Sequence, residues 1–373
     1  MAPTPQTNAT LAQIAQALRE HDNYIIVGHV SPDGDCIGSQ LALKHALHRL
    51  GKKAQCVLAT DASSIDTSLG FLPGVHDMAP AAELLEQMVG ACESTAPAAA
   101  ADEASPVMES CVITVDVPNH ERMGQAAASL HKHAGFTITL DHHANKEAIS
   151  VLNYVDPDAA SNTLNVWQLI GELGVDRSGD VALCAFTGLV TDTGRFQYQN
   201  ANPFAFRCAA EMLECGADLE LVCTQIFQRR SIASLRLENR AVARMELLLG
   251  GALAVTYITL DDFACVGATK TDADNIVNTL RSIDGVRVAC TLRETEENVR
   301  GSLRSKDGTD IAAFAFEHGG GGHRAAAGMT LDGAVADVFD QVKEELCVYL
   351  QEMWKEQQYG ETGRIGPFAG GGR

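Results

Sequence analysis

Residues 24–35 read YIIVGHVSPDGD, and this stretch decides the fold class. The apolar run that opens it is typical of a buried strand, and it leads directly into a polar turn. The segment from Asp35 to Leu50 then predicts a helix that stops at Gly51, and residues 54–59 predict a second strand. Strand, helix and strand in this order indicate a right-handed crossover and therefore a parallel sheet.

Two later apolar runs are also strand candidates, and each ends in an aspartate, Asp116 and Asp141. Ligand sites of open parallel sheets lie just beyond the carboxyl ends of the strands. His29 and Asp33 also follow the end of a predicted strand. We therefore expect these four side chains to lie on one rim of the sheet.

The whole chain predicts an α/β protein of two domains. Residues 1–228 form a parallel-sheet domain with helices on both faces, and 93–106 are an Ala-, Ser- and Pro-rich flexible insertion. Residues 229–250 are a helical linker, with its helix near 232–248. Residues 251–354 form a smaller mixed α/β domain whose last helix covers 334–352, and 355–373 are a disordered tail.

Composition limits which binding partners and which cellular compartment are expected for this protein. The 373 residues carry a formal net charge of −20, which argues against a wide face for long duplex nucleic acid but not against small phosphorylated substrates. The eleven cysteines form no C-x-x-C pair, so we expect reduced thiols rather than disulfides or a structural zinc site. No membrane span or signal peptide is recognisable, which favours a cytoplasmic protein.

The polar turn after the first strand carries the first candidate ligands. Asp33 and Asp35 are separated by one glycine, so two carboxylates on one turn could address two hard cations. His29 would add a nitrogen ligand, which favours Mn²⁺ or a similar transition metal over Mg²⁺. Pro-Asp-Gly is also a good structural turn, and taken alone such an acidic pair is more often solvated surface.

The second candidate is Asp141-His142-His143. Three ionisable residues directly after an apolar strand are costly to bury unless something pairs with them. Asp116 by itself could be an ordinary strand-end residue, and Asp192 could be a helix cap.

Taken in order, these segments resemble the DHH family of phosphoesterases. The match consists of His29-x-x-x-Asp33-x-Asp35, Asp116, Asp141-His142-His143 and Asp192-Thr193-Gly194. The later part of the chain resembles the associated DHHA1 domain through residues 301–305 (GSLRS), 319–323 (GGGGH) and 325–328 (AAAG). The resemblance covers roughly residues 10–352.

The resemblance implies a site with two divalent metal ions, most readily Mn²⁺. His29 and Asp33 would bind one ion, Asp35, His142 and Asp192 the other, and Asp116 would bridge them. Asp141 and His143 would act in catalysis by orienting ligands or contacting phosphate. The implied substrate-binding residues are Arg304, Ser305, Gly320, Gly321, Gly322 and His323, with Arg195 as either a substrate contact or a surface ion-pair residue.

A two-domain chain of this length is similar to the stand-alone NrnA-like branch of the family. That branch implies hydrolysis of short oligoribonucleotides to mononucleotides, and of 3′-phosphoadenosine 5′-phosphate (pAp) to AMP, through a metal-activated water. A phosphodiesterase for linear or cyclic di-AMP is the neighbouring alternative, and a homodimer is compatible with the resemblance. A non-catalytic nucleotide-binding regulatory module would be expected to have lost metal ligands, whereas all six are present here.

Overall fold

The computed structural model of the protein describes residues 6–94, 109–144 and 148–362. The chain divides into two compact units, residues 1–229 and 230–373. Most of the predicted insertion at 93–106 lies outside the described residues; only its first two residues are described, at the end of a helix.

The first unit is built on six strands. They are β1 (Asn23–Val27), β2 (Lys53–Leu58), β3 (Ala79–Pro80), β4 (Cys111–Val115), β5 (Phe136–Asp141) and β6 (Leu152–Val155). Their order in the sheet is β3-β2-β1-β4-β5-β6, and every neighbouring pair is parallel. The predicted parallel sheet is therefore confirmed.

Helices cover both faces of this sheet, as predicted. They are α1 (Leu11–Glu20), α2 (Gly34–Arg49), α3 (Ala81–Ser94), α4 (His120–Met123), α5 (Gln125–His133), α6 (Asn162–Leu173), α7 (Asp180–Asp192), α8 (Pro203–Glu214) and α9 (Leu219–Phe227). Alternate residues of β1 point to opposite faces. Ile26 therefore packs in the core with Leu43 of α2, while Ile25 packs in a separate core with Leu130 of α5.

Two glycines allow α2 and α7 to approach closely. A Cβ atom on Gly38 of α2 would lie 2.5 Å from the carbonyl oxygen of Cys184 in α7, and one on Gly188 of α7 would lie 3.0 Å from Asp35 Cα in α2. A larger residue at either position would push the helices apart. This packing brings the last residue of α7, Asp192, next to the first turn of α2.

The second unit contains a mixed six-stranded sheet. Its strands are β7 (Glu246–Leu248), β8 (Leu253–Ile258), β9 (Val288–Glu294), β10 (Val299–Ser305), β11 (Gly321–His323) and β12 (Ala326–Leu331). The order is β11-β12-β10-β9-β8-β7; the β8–β9 pair is parallel and the other pairs are antiparallel.

Five helices accompany the second sheet. They are α10 (Ile232–Arg244), α11 (Leu260–Val266), α12 (Ile276–Ser282), α13 (Ala312–Glu317) and α14 (Val335–Thr362). One face of the sheet packs against α13 and α14, and part of the other packs against α10 and α12. Among the described residues, none of the helices combines the length and apolar character needed to cross a bilayer.

Two predicted helix boundaries in this unit are wrong. The helix near 232–248 ends at Arg244, because residues 246–248 pair with β8 across a turn at Gly250 and Gly251, both of which have positive φ. The final helix continues to Thr362 rather than ending at 352, so the predicted tail at 355–373 begins as helix. Trp354 anchors this extension, since its Nε1 donates to Thr309 Oγ1 at 3.0 Å. Residues 363–373 lie outside the described part of the chain.

A buried aspartate ties α10 to α11. Asp262 is 1% exposed, and its carboxylate accepts hydrogen bonds from Arg240 Nε at 2.6 Å and from Arg244 Nη1 at 2.6 Å. It also accepts the backbone N–H of Thr259, which completes the amino-terminal cap of α11. Burial by itself would raise the pKa of Asp262, but the hydrogen bonds from Arg244, Thr259 and Arg240 outweigh it and hold the pKa well below its usual range.

We predict that Asp262→Asn lowers the free energy of unfolding of the second unit by about 1.5–3 kcal/mol at neutral pH, because charge-assisted hydrogen bonds are lost. Since the folded pKa lies below the unfolded value of about 4, the contribution of Asp262 exists above that pH and fades as the pH falls below it. The difference between variant and parent should therefore shrink below about pH 4. Urea unfolding would be followed through Trp354 fluorescence in a Trp167→Phe background.

The matched control for this experiment is Asp261→Asn. Asp261 is the exposed neighbour in the same first turn of α11. An equal loss of stability in both variants, or a difference for Asp262→Asn that does not depend on pH, would contradict the assigned role.

Candidate metal centre and substrate-binding residues

The fold gathers the six predicted metal ligands in the first unit. Five segments of the chain contribute them: the ends of β1, β4 and β5, the start of α2 and the end of α7. Donor atoms of Asp35, His142 and Asp192 lie within 4.8 Å of one another, and those of Asp116, His142 and His143 do the same. The rim predicted from strand ends is therefore where these side chains meet.

Asp116 lies between the two histidines. Its Oδ2 is 3.4 Å from His29 Nε2, and its Oδ1 is 3.4 Å from His142 Nε2. The residue is 2% exposed and has a φ of 61°, a left-handed conformation that is uncommon outside glycine and that aspartate tolerates better than most residues. Oδ1 makes no hydrogen bond within the described residues. This is the position that a carboxylate bridging two cations would occupy.

His142 is oriented for ligation through Nε2. Its Nδ1 lies 3.3 Å from the carbonyl oxygen of Ala159, to which it can donate. Nε2 then faces Asp35 Oδ2 at 3.8 Å and Asp192 Oδ2 at 3.9 Å, in addition to Asp116. Metal-binding histidines commonly donate their other nitrogen to a carbonyl or carboxylate in this way.

Asp35 is positioned by α6, a contact that sequence reasoning missed. Its two carboxylate oxygens accept the backbone N–H groups of Asn162 at 2.6 Å and Thr163 at 2.8 Å, at the first turn of that helix. The N-cap residue Ser161 makes no side-chain cap there, so Asp35 supplies the acceptors. No local signal could have revealed this, because the partners are 127 and 128 residues apart in the chain.

Asp33 differs from the other ligands in exposure. Its side chain is 61% exposed and its Oδ1 lies 3.9 Å from His29 Nε2. The same oxygen accepts the N–H groups of Asp35 and Cys36 at 3.0 Å each, so Asp33 is also the N-cap of α2. The structural interpretation of this turn is therefore confirmed, whereas the role of Asp33 as a metal ligand stays a prediction.

Cys36 is a further residue near the site that was predicted only as a buried thiol. It is fully buried, and its sulfur accepts the backbone N–H of His29 at 3.4 Å. Donor atoms of Cys36, His29 and Asp116 lie within 4.8 Å of one another. A Cβ on Gly28 would overlap this sulfur, which explains why glycine precedes His29.

Asp141 orients the two histidines that follow it. Its Oδ1 lies 2.8 Å from His143 Nδ1 and also accepts the backbone N–H of His142 at 2.8 Å. Its carbonyl oxygen accepts a hydrogen bond from the buried Asn165 side chain at 3.0 Å. His143 Nδ1 is also 3.6 Å from Asp116 Oδ1. Both predicted catalytic neighbours therefore adjoin the predicted ligands.

The site holds more buried carboxylate than its imidazoles can neutralise. Burial and then the nearby Asp116 raise the pKa of Asp35 to about 7, and burial and then Asp35 raise the pKa of Asp192 well above its usual range. For Asp116, burial would raise the pKa, but the adjacent imidazoles of His142 and His29 outweigh it and lower the pKa. Divalent cations would supply the missing positive charge. Imidazole and carboxylate donors around an unpaired buried Asp116 oxygen fit ions such as Mn²⁺.

The predicted substrate residues Arg304 and Ser305 end β10 in the second unit. Of the glycine run, residues 321–322 together with His323 form strand β11 against β12. A Cβ on Gly320 would overlap the Gly328 carbonyl oxygen, and one on Gly322 would lie 2.5 Å from the Ala326 carbonyl oxygen. These two glycines are thus required by close backbone packing.

The other two predicted substrate contacts have different outcomes. The backbone of His323 belongs to β11, but its side chain lies outside the described part of the chain. Arg195, in the first unit, places its guanidinium 4.6 Å from the centre of the Phe227 ring. Arg195 therefore has an intramolecular partner, although a cation–π contact rather than the ion pair that was the alternative.

Comparison with known proteins gives consistent matches along the chain. The model of the DHH family, N-terminal domain, matches residues 23–189, and that of the DHHA1 domain matches residues 251–352. The bifunctional oligoribonuclease and PAP phosphatase NrnA of Thermus thermophilus is 33% identical over 351 residues, covering 92% of this chain and 97% of that protein. The cyclic-di-AMP phosphodiesterase PdeA of Listeria monocytogenes is 25% identical over 372 residues, covering 96% of this chain but 51% of that protein.

Among solved structures, an exopolyphosphatase-related protein from Bacteroides fragilis has a TM-score of 0.79. Its sequence is 26% identical to this one, and the superposition covers 91% of this chain and 97% of that chain. The similarity therefore extends over both units.

We predict that Asp192→Asn stabilises the metal-free protein, because burial and the neighbouring Asp35 disfavour the ionised carboxylate, whereas asparagine keeps the shape of the side chain and carries no charge. In EDTA at neutral pH the free energy of unfolding should rise by about 0.5–2 kcal/mol. Added Mn²⁺ should raise the melting temperature of the parent more than that of the variant, since the variant has lost a ligand. Differential scanning calorimetry with and without Mn²⁺ measures both effects. A variant that is less stable than the parent in EDTA, or that gains as much from Mn²⁺, would count against this account.

Proposed function

Because the chain belongs to the DHH family, we propose that it is a phosphoesterase that hydrolyses short oligoribonucleotides to mononucleotides and pAp to AMP. The observation that carries the proposal is the buried site in which Asp116 lies between His29 and His142, with Asp35 and Asp192 beside them. The similarity to the Thermus NrnA enzyme over 97% of its length supports the substrate assignment.

The proposed cofactor is a pair of divalent ions, most readily Mn²⁺. His29 and Asp33 would hold one ion, and Asp35, His142 and Asp192 the other, with Asp116 shared between them. Ions bound there would supply Lewis acidity toward phosphoryl oxygens and lower the pKa of a water nucleophile. The mixed imidazole and carboxylate donor set supports this choice over Mg²⁺ or Ca²⁺, which prefer oxygen alone.

Side chains and backbone groups around the predicted ligands would hold the ligands and the substrate in position. Asp141 holds the Nδ1 edge of the half-buried His143 ring and fixes its orientation beside the predicted ligands. From there His143 would donate a hydrogen bond to a phosphoryl oxygen as charge develops on it. Ala159 and the first turn of α6 keep His142 and Asp35 from rotating, so the ligands need little rearrangement.

Substrate recognition is proposed for the end of β10 and for β11. Arg304 would bind a terminal phosphate, because a guanidinium meets phosphate oxygens in a bidentate way, and His323 and the glycine backbone would assist. Ser305 is 4% exposed and follows Leu303 on the buried face of β10, so its predicted substrate contact is not part of this proposal. The formal net charge of −20 supports short substrates over long duplex nucleic acid, which needs an extended basic face.

A phosphodiesterase for linear or cyclic di-AMP is the second candidate. The similarity to the Listeria PdeA enzyme favours it, although this chain covers 51% of that protein. Product analysis with pAp, pApA, a three- to five-nucleotide RNA and cyclic di-AMP separates the two. The main proposal requires pAp and the short RNA to be hydrolysed faster than cyclic di-AMP.

We predict that Asp116→Asn lowers the rate of Mn²⁺-dependent pAp hydrolysis by roughly 100- to 1000-fold or more. Asparagine tolerates the left-handed backbone of residue 116, so the fold should persist while the shared negative charge is lost. The rate of AMP release measures the effect. Asp158→Ala, an exposed aspartate of the same unit, is the control and should retain activity. Near-parental activity in Asp116→Asn would refute the shared-ligand assignment.

A further inference from the structure

The face of the second sheet opposite α14 is covered only in part, by α10 and α12, and polar residues recur on it. Val299 and Leu303 of β10 pack in the core under α14, so Arg300, Ser302 and Arg304 project from the opposite face. On the β12 side of β10, Gly328 lies opposite Ser302 and is exposed. The small residue leaves this part of the face uncovered beside β10.

On the β9 side the pairing places like charges together. Arg293 lies directly opposite Arg300, and Thr291 lies directly opposite Ser302. Like charges in direct cross-strand register destabilise an antiparallel pair unless something compensates them. Asp274 and the Lys270 carbonyl oxygen each accept a hydrogen bond from Arg293 Nη1 at 3.0 Å. The Arg300 side chain makes no ion pair or hydrogen bond among the residues that the structure describes.

Two buried donors at this position lack partners. Thr291 is 5% exposed, and its Oγ1 makes no hydrogen bond within the described residues; Arg293 Nε is also buried and unpaired. Both residues line a pocket of about 20 Å³ together with Arg300, Ser302 and Asp274. That volume accommodates one oxygen atom. We name Thr291, Arg293, Arg300 and Ser302 the arginine patch.

The chemistry of the arginine patch selects an anionic oxygen. Arg293 Nε–H can only donate, and the Thr291 hydroxyl is free to donate, so the atom between them must accept. A neutral water would also fit, but the guanidiniums of Arg293 and Arg300 outnumber the single lining carboxylate, Asp274, which is already paired with Arg293, so the excess positive charge favours a charged oxygen. A phosphate would insert one oxygen and keep the others at the surface with Arg300 and Ser302.

The arginine patch lies on the same strand face as Arg304. Side chains two residues apart on a strand are separated by about 6.6–6.8 Å, so Arg300 and Arg304 are roughly 13 Å apart along β10. A chain of nucleotides could therefore contact both, whereas pAp has no phosphate beyond those of its single nucleoside.

From this geometry we propose that the arginine patch is a second phosphate subsite, which binds an internal phosphodiester of a short oligoribonucleotide. The inference rests on the proposed function, in which Arg304 binds the terminal phosphate. The patch would make affinity depend on substrate length, and it would contribute nothing to pAp.

Binding of a fluorescein-labelled five-nucleotide RNA to the full-length protein in EDTA tests the subsite without cleavage. Arg300→Gln should weaken binding roughly ten-fold, as expected for a lost charge-assisted contact, and should reduce the slope of log affinity against log salt by about 1. Thr291→Val should also weaken binding without lowering the melting temperature, because its hydroxyl has no partner to lose. Arg236→Gln, the same charge change at an exposed position on α10, is the control.

Steady-state kinetics with Mn²⁺ provide the second readout. Arg300→Gln should raise KM for the five-nucleotide RNA and leave kcat/KM for pAp unchanged. RNA binding equal to the parent in both patch variants would mean that the pocket holds only water and would overturn the proposal. An equal loss on pAp would overturn it as well, because the effect would then not depend on length. If the parent hydrolyses neither substrate, the proposed function fails. The binding measurement with the fluorescein-labelled RNA, followed by fluorescence anisotropy, still decides whether the subsite exists.

Discussion

The candidate metal centre of the first unit depends on several carboxylates that lie within a few ångströms of one another, most of them buried. Asp35 and Asp116 are almost fully buried, and Asp192 is close to both through His142. Such a cluster is unfavourable unless the surrounding structure fixes each group and positive charge is supplied. The amides of α6 and the carbonyl of Ala159 provide the first condition, and divalent cations would provide the second.

Helix packing is what makes that concentration of charge possible. Gly38 and Gly188 let α2 and α7 approach until the residues at their ends share one site. The parallel sheet contributes the remaining groups, because the carboxyl ends of β1, β4 and β5 lie side by side. Helix packing and strand order therefore bring the predicted ligands together from distant parts of the chain.

In the second unit the two faces of the sheet have different surroundings. Its sheet buries one face under α13 and α14 and leaves small residues and arginines on part of the other. Unpaired donors at Thr291 and Arg293 are costly in isolation, and a ligand that satisfies them recovers that cost when it binds. A long acidic chain can thus present local positive charge to a short anionic substrate.

The sequence by itself determined the parallel sheet, the two-domain plan and the candidate ligands. Apolar runs that end in His29, Asp116 and Asp141 carry a strong local signal, and the ordered motifs are specific. Tertiary structure alone decided which atoms face each other: the capping of α6 by Asp35, the approach of Cys36 to His29 and the pairing of Arg293 with Arg300. Each of these depends on contacts between distant segments or on strand register, and hydrophobic periodicity carries no information about either. The extension of α14 to Thr362 was missed for a related reason, since the Trp354 contact with Thr309 spans 45 residues.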